Sequence, residues 1–183
     1  MKKPIILLLL LIATNLYSQI KEGQDFCDET INGKFFPLSI EKKKILWANT
    51  SYYETQNGIK IINGKKYKEY IQEWSNNHSD KLYLREQNGV IYQYEDCCEK
   101  ETIRYDSKFK KGHTWKTADG KFEYKIISYN GKFKTPFCEY TNLLVIEAEI
   151  EKEVFHFYYL KGQGYVGATS HDEIISCVTP IWD

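Results

Sequence analysis

Several features that define other protein classes are absent from this chain of 183 residues. After residue 18 no apolar run approaches the roughly 20 residues that a membrane-spanning helix requires. Its 25 basic and 25 acidic side chains cancel, so the chain lacks the basic stripe typical of nucleic-acid-binding proteins. The one lysine cluster, Lys42–Lys44, is interpreted as a solvated strand end. We therefore expect no nucleic-acid partner, no transmembrane segment in the mature chain, and no cofactor.

The amino terminus has the pattern of a secretory signal peptide. Two lysines precede the apolar run Ile5–Ile12, and the more polar Asn15–Ser18 follows it. Removal of residues 1–18 leaves residues 19–183, a length that suits a single domain with one core. The mature chain then has a net charge of about −2. No cysteine lies near the cleavage point, so we expect an unacylated protein that is periplasmic or secreted.

Five cysteines remain after the signal peptide, and an oxidising compartment would allow disulfides among them. They are Cys27, Cys97, Cys98, Cys138 and Cys177. Neighbouring residues of an extended strand point to opposite faces, so Cys97 and Cys98 should differ in partner. We favour Cys138 with one of these two, and Cys27 with Cys177, although sequence alone does not fix the connectivity. A zinc site of Cys97, Cys98 and His113 is disfavoured, because the C-x-x-C type spacing is missing.

Tight turns and two-residue periodicity dominate the rest of the chain. The dipeptide Asn-Gly suits the positive φ angles of a hairpin turn, and it occurs at positions 32–33, 57–58, 63–64, 88–89 and 130–131. On either side of Asn88-Gly89, "LYLRE" and "VIYQY" alternate as two paired strands should. "KFEYKIISYNGK" and "NLLVIEAEI" alternate likewise, and "EVFHFYYL" is apolar on both faces, as in a central strand. A hairpin near Glu151-Lys152 joins the last two.

One segment carries two conflicting signals. In "KKYKEYIQEW" the residues Tyr67, Tyr70, Ile71 and Trp74 recur at helical spacing. Tyrosine, isoleucine and tryptophan nevertheless favour strands, and a hairpin signal precedes the segment, so we predict a strand and keep one short helix as the alternative. The chain as a whole is predicted to be all-β and predominantly antiparallel. It forms a meander of hairpins closed into a barrel-like or strongly curved sheet.

The glycines of "GQGYVG", residues 162–167, match the G-x-G-x-x-G spacing of a dinucleotide-binding turn. Such a turn must be followed by a helix and a second strand that ends in an acidic residue. Only sixteen residues follow Gly167, too few for those elements. We interpret the glycines as a bend between two strands, where positive φ or close backbone approach is required.

Four stretches support a family resemblance: "INGKKYKEYI", "LYLREQNGVIYQY", "TIRYDSKFKKGHTW" and "FYYLKGQGYVG". Together they resemble small secreted domains of the Bacteroidetes, which show an "NGKxYxxL" strand, "RExNGxVYYY", "LYDFxLxxGDTW" and a closing "GIGxxxG". The likeness spans residues 60–167. It departs from the pattern at His113, where aspartate is usual, and at Ser107–Phe109. The resemblance implies a β-rich extracytoplasmic module and brings no established active site.

Catalytic residues are not evident in the sequence. The tightest grouping, Ser170-His171-Asp172, consists of adjacent residues that rarely aim at one another, so a turn is favoured over a triad. His156 is interpreted as a hydrogen-bonded core residue, and His78 lies in a polar loop. No spacing singles out the carboxylate pair of a glycoside hydrolase. Glu147, Glu149, Glu151 and Glu153 are interpreted as a solvated edge and turn.

Aromatic residues favour a binding function. The chain has 15 tyrosines, 9 phenylalanines and 4 tryptophans, which pack β cores but also stack on sugars or anchor protein partners. The candidate ligand contacts are Trp47, Tyr52, Tyr53, Trp74 and Trp115. We predict a noncatalytic recognition module for a glycan or an envelope protein. Its rivals are a hydrolase of envelope or environmental polysaccharide and a lipocalin-like carrier of an apolar ligand.

Overall fold

A computed structural model describes residues 27, 33–150 and 152–181. The predicted signal peptide lies outside these residues. Twelve strands follow one another along the chain: β1 (Lys42–Trp47), β2 (Thr50–Ile62), β3 (Lys65–Trp74), β4 (Ser79–Gln87), β5 (Val90–Glu95), β6 (Lys100–Asp106), β7 (Thr114–Lys116), β8 (Glu123–Lys134), β9 (Glu139–Ile150), β10 (Glu153–Leu160), β11 (Gly164–Ser170) and β12 (Glu173–Thr179).

All twelve strands belong to one antiparallel sheet. Each strand pairs with its neighbours in sequence, except that β6 does not pair with β7 and that β1 pairs with β12. The all-β antiparallel prediction is confirmed. The segment with conflicting signals is β3, so the short helix is not formed there. The helical interpretation of this spacing is wrong because Tyr67 and Tyr70 are buried on opposite faces of a sheet and do not share one face of a helix.

Side chains, rather than a ladder, bring the two edge strands together. The indole Nε1 of Trp115 in β7 donates to the carbonyl of Ile103 in β6, at 2.7 Å. The amide of Ala118 donates to Oγ1 of Thr102, at 2.8 Å. We call this line of contact the seam. It turns the curved sheet into a nearly closed barrel, as predicted from the hairpins.

Asn-Gly dipeptides mark hairpin turns at two of the predicted places. Asn63-Gly64 connects β2 to β3 and Asn88-Gly89 connects β4 to β5, with positive φ at all four residues. The interpretation is wrong for Asn57-Gly58 and Asn130-Gly131, which lie within β2 and β8 at irregularities of the strand pairing. There the neighbouring strand continues the pairing on both sides, so the extra residues are accommodated as bulges.

The segment 33–41, before β1, packs against inward-facing side chains of the barrel. Phe36 stacks on Tyr105 of β6 and on Tyr159 of β10, with ring centroids 5.2 and 4.3 Å apart. The carbonyl of Leu38 accepts hydrogen bonds from Lys68 Nζ at 2.5 Å and Tyr70 Oη at 3.0 Å. Segment 33–41 is therefore a plug that joins opposite walls.

A second layer covers part of the outer face. Phe133, near the end of β8, stacks on Tyr158 of β10 at a centroid distance of 4.3 Å. Its ring lies directly over Gly167 of β11, where a Cβ atom would stand 2.4 Å from the ring. Gly167 thus allows the close approach expected from the glycine-rich bend.

The disulfide pattern differs from the one we favoured. Cys27 is bonded to Cys138, beside the β8–β9 turn, while Cys97, Cys98 and Cys177 are free. Both favoured pairings are therefore wrong. Cys97 and Cys98 lie in the turn between β5 and β6 with their Sγ atoms 3.2 Å apart, so the opposite-face argument for a strand does not apply. Connectivity depends on which segments the fold brings together.

Candidate functional site

A cavity of about 280 Å³ lies inside the barrel. Its walls come from β1–β4, β6, β10 and β11, and the plug covers one side. Seven aromatic residues provide much of its lining: Phe36, Trp47, Tyr52, Tyr70, Phe157, Tyr159 and Tyr165. Concave sites with aromatic walls and a few polar groups are the usual form of small-molecule sites.

Strand alternation explains which side chains reach the cavity. Alternate residues of a strand share one face, and Leu82 and Leu84 of β4 line the cavity whereas Tyr83 does not. In the same way Phe157 and Tyr159 of β10 point inward, and Tyr158 between them packs under Phe133. The two-residue period of the sequence therefore determines the lining of the site.

Lys43 is a buried cation in the cavity wall. Its Nζ donates to the carbonyls of Gln163 and Tyr165, at 2.5 and 3.2 Å. Burial lowers the pKa of Lys43 to about 8, and the nearby Glu54 carboxylate limits the fall. The two carbonyls replace only part of the hydration that the ammonium group loses on burial, so its charged form remains disfavoured. The interpretation of Lys42–Lys44 as a solvated end is wrong for Lys43, which alternation places on the same face as Ile45.

Glu54 is the only carboxylate among the described residues that line this cavity. It accepts a hydrogen bond from Nε2 of Gln72, at 2.8 Å. A hydrolase of the common glycosidase type needs two facing carboxyl groups. The described lining of this cavity provides one of those two groups.

Arg104 is the second cation of the lining. The β5–β6 pairing shifts next to Arg104, since Ile91 pairs with Tyr105 but Tyr92 pairs with Ile103. Arg104 is thus the extra residue of a bulge, which redirects its side chain. Its guanidinium donates to the hydroxyl of Tyr124, at 3.1 Å.

The electrostatic surroundings of Arg104 keep it charged. Burial acts to lower the pKa of its guanidinium, but Tyr124, Tyr159 and Glu95 outweigh burial and raise it. Burial also raises the pKa of Tyr52, Tyr70 and Tyr159, so these hydroxyls stay neutral at pH 7. The Tyr70 hydroxyl already donates to the carbonyl of Leu38.

A second cavity, of about 320 Å³, lies on the other side of Phe36. Lys34 and Glu86 line it and form an ion pair with one another, with Nζ and Oε1 2.6 Å apart. Lys161 is a further cation of this lining, and its Nζ lies over the Phe35 ring, 5.4 Å from the ring centroid.

The five predicted ligand contacts are dispersed. Trp47 and Tyr52 line the first cavity, and Trp74 packs on Tyr52 with ring centroids 4.4 Å apart. Tyr53 lies on the opposite face of β2, where Lys42 and Lys44 approach its ring. Trp115 lies at the seam. The structure thus brings three of the five together.

The sequence interpretation missed Lys43, Glu54 and Arg104. Alternation could have placed Lys43 with Ile45 and Trp47, and Glu54 with Tyr52, on the inward faces of β1 and β2. No sequence signal marks Arg104, because a bulge sets its direction.

The candidate catalytic residues lie apart from the cavity. His171 and Asp172 form the turn between β11 and β12 with positive φ, and His171 contacts Glu153 at 3.3 Å. His156 lies near Glu147, at 3.4 Å. Within the described part of the chain, no three histidine, cysteine or acidic residues are grouped to hold a metal ion. His113 stacks on Phe109 instead.

Comparisons with known proteins found similarity to a solved structure. No family model and no curated protein matches the chain. A crystal structure described as a "putative lipoprotein" from Parabacteroides distasonis is similar in structure, with a TM-score of 0.42 and 11% identity. The match covers 82% of this chain and 98% of that chain. No helix in the described ranges has the length and apolar character needed to cross a bilayer.

Proposed function

We propose that this protein is an exported, noncatalytic binding protein that holds a small, largely apolar ligand inside its barrel. The observation that carries the proposal is the aromatic-walled cavity of about 280 Å³. An interior cavity favours a carrier over a hydrolase or a surface recognition module. Export is supported by the signal-like amino terminus and by the disulfide Cys27–Cys138.

A hydrolase and a surface recognition module have less support from the described residues. A hydrolase would need a second carboxylate near Glu54 in the cavity. Surface recognition through a stacking platform would need a group of exposed aromatic rings, but Phe137 is the one large aromatic that is clearly exposed, at 38%, in the described ranges.

The size of the cavity limits the ligand. A dry engineered cavity of about 150 Å³ accepts benzene, so about 280 Å³ suits a body of about ten to fifteen non-hydrogen atoms. A ligand of that size with mostly apolar contacts should bind with a dissociation constant in the micromolar to millimolar range, which corresponds to about 4–8 kcal/mol.

Calorimetric titration with the neutral probe 2-naphthol tests the proposal. We expect saturable binding by the purified mature protein, and quenching of Trp47 fluorescence. Leu84→Trp should abolish binding by filling the cavity. Ile61→Trp makes a similar aliphatic-to-indole change at an exposed site and should leave binding unaffected. Binding that survives Leu84→Trp unchanged would contradict an interior site.

A further inference from the structure

The chain has two arginines, and their surroundings differ. Arg85 faces away from the cavity and pairs with Glu101, with its NH2 group 2.8 Å from Oε2. Arg104 lines the cavity and forms no ion pair with a described carboxylate. Its polar partners are two tyrosine hydroxyls, that of Tyr124 at 3.1 Å and that of Tyr159. A guanidinium offers five donors, so these two hydroxyls leave donors of Arg104 for a ligand.

The cavity has an excess of positive charge. Lys43 and Arg104 are two cations, and Glu54 is the one described carboxylate in the lining. Glu54 is close enough to Lys43 to raise its pKa, and it accepts a hydrogen bond from Gln72. We therefore count its negative charge against Lys43 and not against Arg104. Glu95 raises the pKa of Arg104 but is not part of the lining, and a buried charge without a paired counter-ion is unfavourable. The balance of the site therefore calls for one negative group.

We infer, on the basis of the proposed function, that the ligand is a small carboxylic acid whose carboxylate pairs with Arg104 while its apolar body lies among the aromatic rings. The flat guanidinium matches the two oxygens of a carboxylate, with two parallel hydrogen bonds. Tyr124 holds the guanidinium in place from the β8 side.

The dimensions of the cavity favour a carboxylate over a phosphate ester. A phosphate group adds four or five atoms and a second charge, while the excess of charge in the lining is a single unit. The rings of Trp47, Phe157 and Tyr165 also favour a flat body, since aromatic groups pack best in offset or edge-to-face contact. A bicyclic aromatic acid has the right size, shape and charge.

Two probes of equal shape isolate the charge: 2-naphthoate and its neutral amide, 2-naphthamide. Titration of the mature protein at pH 7 should give a dissociation constant at least about 10-fold lower for the acid than for the amide. Arg104→Met should reduce that preference to near unity or invert it, because the acid loses an ion pair whereas the amide loses only a hydrogen bond to a neutral acceptor. The thermal midpoint of the ligand-free variant should not fall, since an uncompensated charge is removed.

Two further variants separate ligand recognition from a purely structural role. Arg85→Met makes the same substitution on the outer face and should keep the preference for the acid. Tyr124→Phe removes the hydroxyl partner of Arg104, keeps its charge, and should also keep the preference. A role of Arg104 limited to joining β6 to β8 predicts the opposite, with Tyr124→Phe and Arg104→Met weakening both probes equally.

The outcomes distinguish this inference from the proposed function. Equal affinities for naphthoate and naphthamide in the wild-type protein would overturn the carboxylate inference and leave the interior site standing. Failure of both naphthalene probes and of 2-naphthol to bind would contradict the interior site itself. Tighter binding of 2-naphthyl phosphate than of naphthoate would replace the carboxylate by a phosphate ester.

Discussion

Glu101 concentrates several charge-assisted contacts on the outer face. Its carboxylate accepts from Arg85, from Lys65 Nζ at 2.6 Å and from Tyr67 Oη at 2.6 Å. Hydrogen bonding to Arg85 is the main reason that the pKa of Glu101 is lowered to about 2, against the opposing effect of burial. The carboxylate is thus much more favourable in the folded protein than in the unfolded chain.

Glu101→Gln should therefore destabilise the protein in a pH-dependent way. The folded pKa lies below the unfolded one, so the contribution is complete above about pH 5 and is lost as pH falls towards 2. We expect a loss of about 2–3 kcal/mol at pH 7 that shrinks by pH 2.5. Urea denaturation at several pH values measures it, and Glu73→Gln, exposed on β3, is the control. A loss independent of pH would contradict the assignment.

Lys43 should have the reverse effect on stability. Its folded pKa of about 8 lies below the ordinary lysine value of 10.5, so the charged form is penalised in the folded state below pH 8. That penalty is relieved as pH rises towards 10.5. The stability of Lys43→Met relative to wild type should therefore fall by about 2 kcal/mol between pH 7 and pH 10.

Denaturation of both proteins across this pH range checks the prediction, and Lys44→Met, on the opposite face of β1, is the matched control. Comparing variant with wild type is necessary because the tyrosines have raised pKa values, which lower the stability of every variant above about pH 10. A constant difference would show that Lys43 titrates normally.

At the scale of the elements, Gly167 sets how β8 packs over β10 and β11. A Cβ atom there would lie 2.4 Å from the Phe133 ring and 2.5 Å from the carbonyl oxygen of Ser176. Gly167→Ala should cost about 3 kcal/mol or more, since both a ring and a paired strand must move. Thermal and urea unfolding measure the loss.

A second substitution identifies the source of that loss. Phe133→Leu relieves the clash with the ring but not the clash with Ser176, so the double variant should recover only part of the stability. Full recovery would show that the backbone contact is unimportant, and an unaltered Gly167→Ala protein would contradict the close packing.

Much of the element structure could be predicted because it is local. Two-residue alternation and the turns at Asn63-Gly64 and Asn88-Gly89 identify strands and hairpins without knowledge of distant contacts. The placement of Asn130-Gly131 inside β8 could not be predicted, since it depends on continued pairing with β9. The disulfide Cys27–Cys138 and the inward turn of Arg104 likewise depend on the assembled sheet. The candidate site was therefore predictable only in part, through Trp47 and Tyr52.

At the scale of the whole molecule, closure of the barrel depends on the seam. No backbone ladder joins β6 to β7, so the hydrogen bond from Trp115 to the carbonyl of Ile103 is one of the few contacts that hold these strands together. Trp115→Phe keeps an aromatic ring near Tyr124 and Phe109 but removes the donor. We expect a loss of about 1 kcal/mol, or about 2–4 °C in thermal midpoint, and faster amide exchange confined to β6 and β7.

Trp74→Phe is a suitable control for the seam. Its indole donates to the exposed Asp80 carboxylate at 2.9 Å, far along the sheet from the open edges. That variant should leave exchange in β6 and β7 unchanged. Uniformly faster exchange in Trp115→Phe would indicate general destabilisation and not local opening.

The position of the seam in mid-chain divides the molecule into two six-stranded meanders, β1–β6 and β7–β12, that share only the β1–β12 ladder. Ten of the eleven ladders between the described strands join sequence neighbours. The remaining one, β1 with β12, must close a loop of well over a hundred residues, and the entropic cost of closure grows slowly with loop length.

Peptide-bond cleavage in the segment 107–113 would sever no ladder. Two separately expressed fragments should therefore reassemble into the native barrel by complementation.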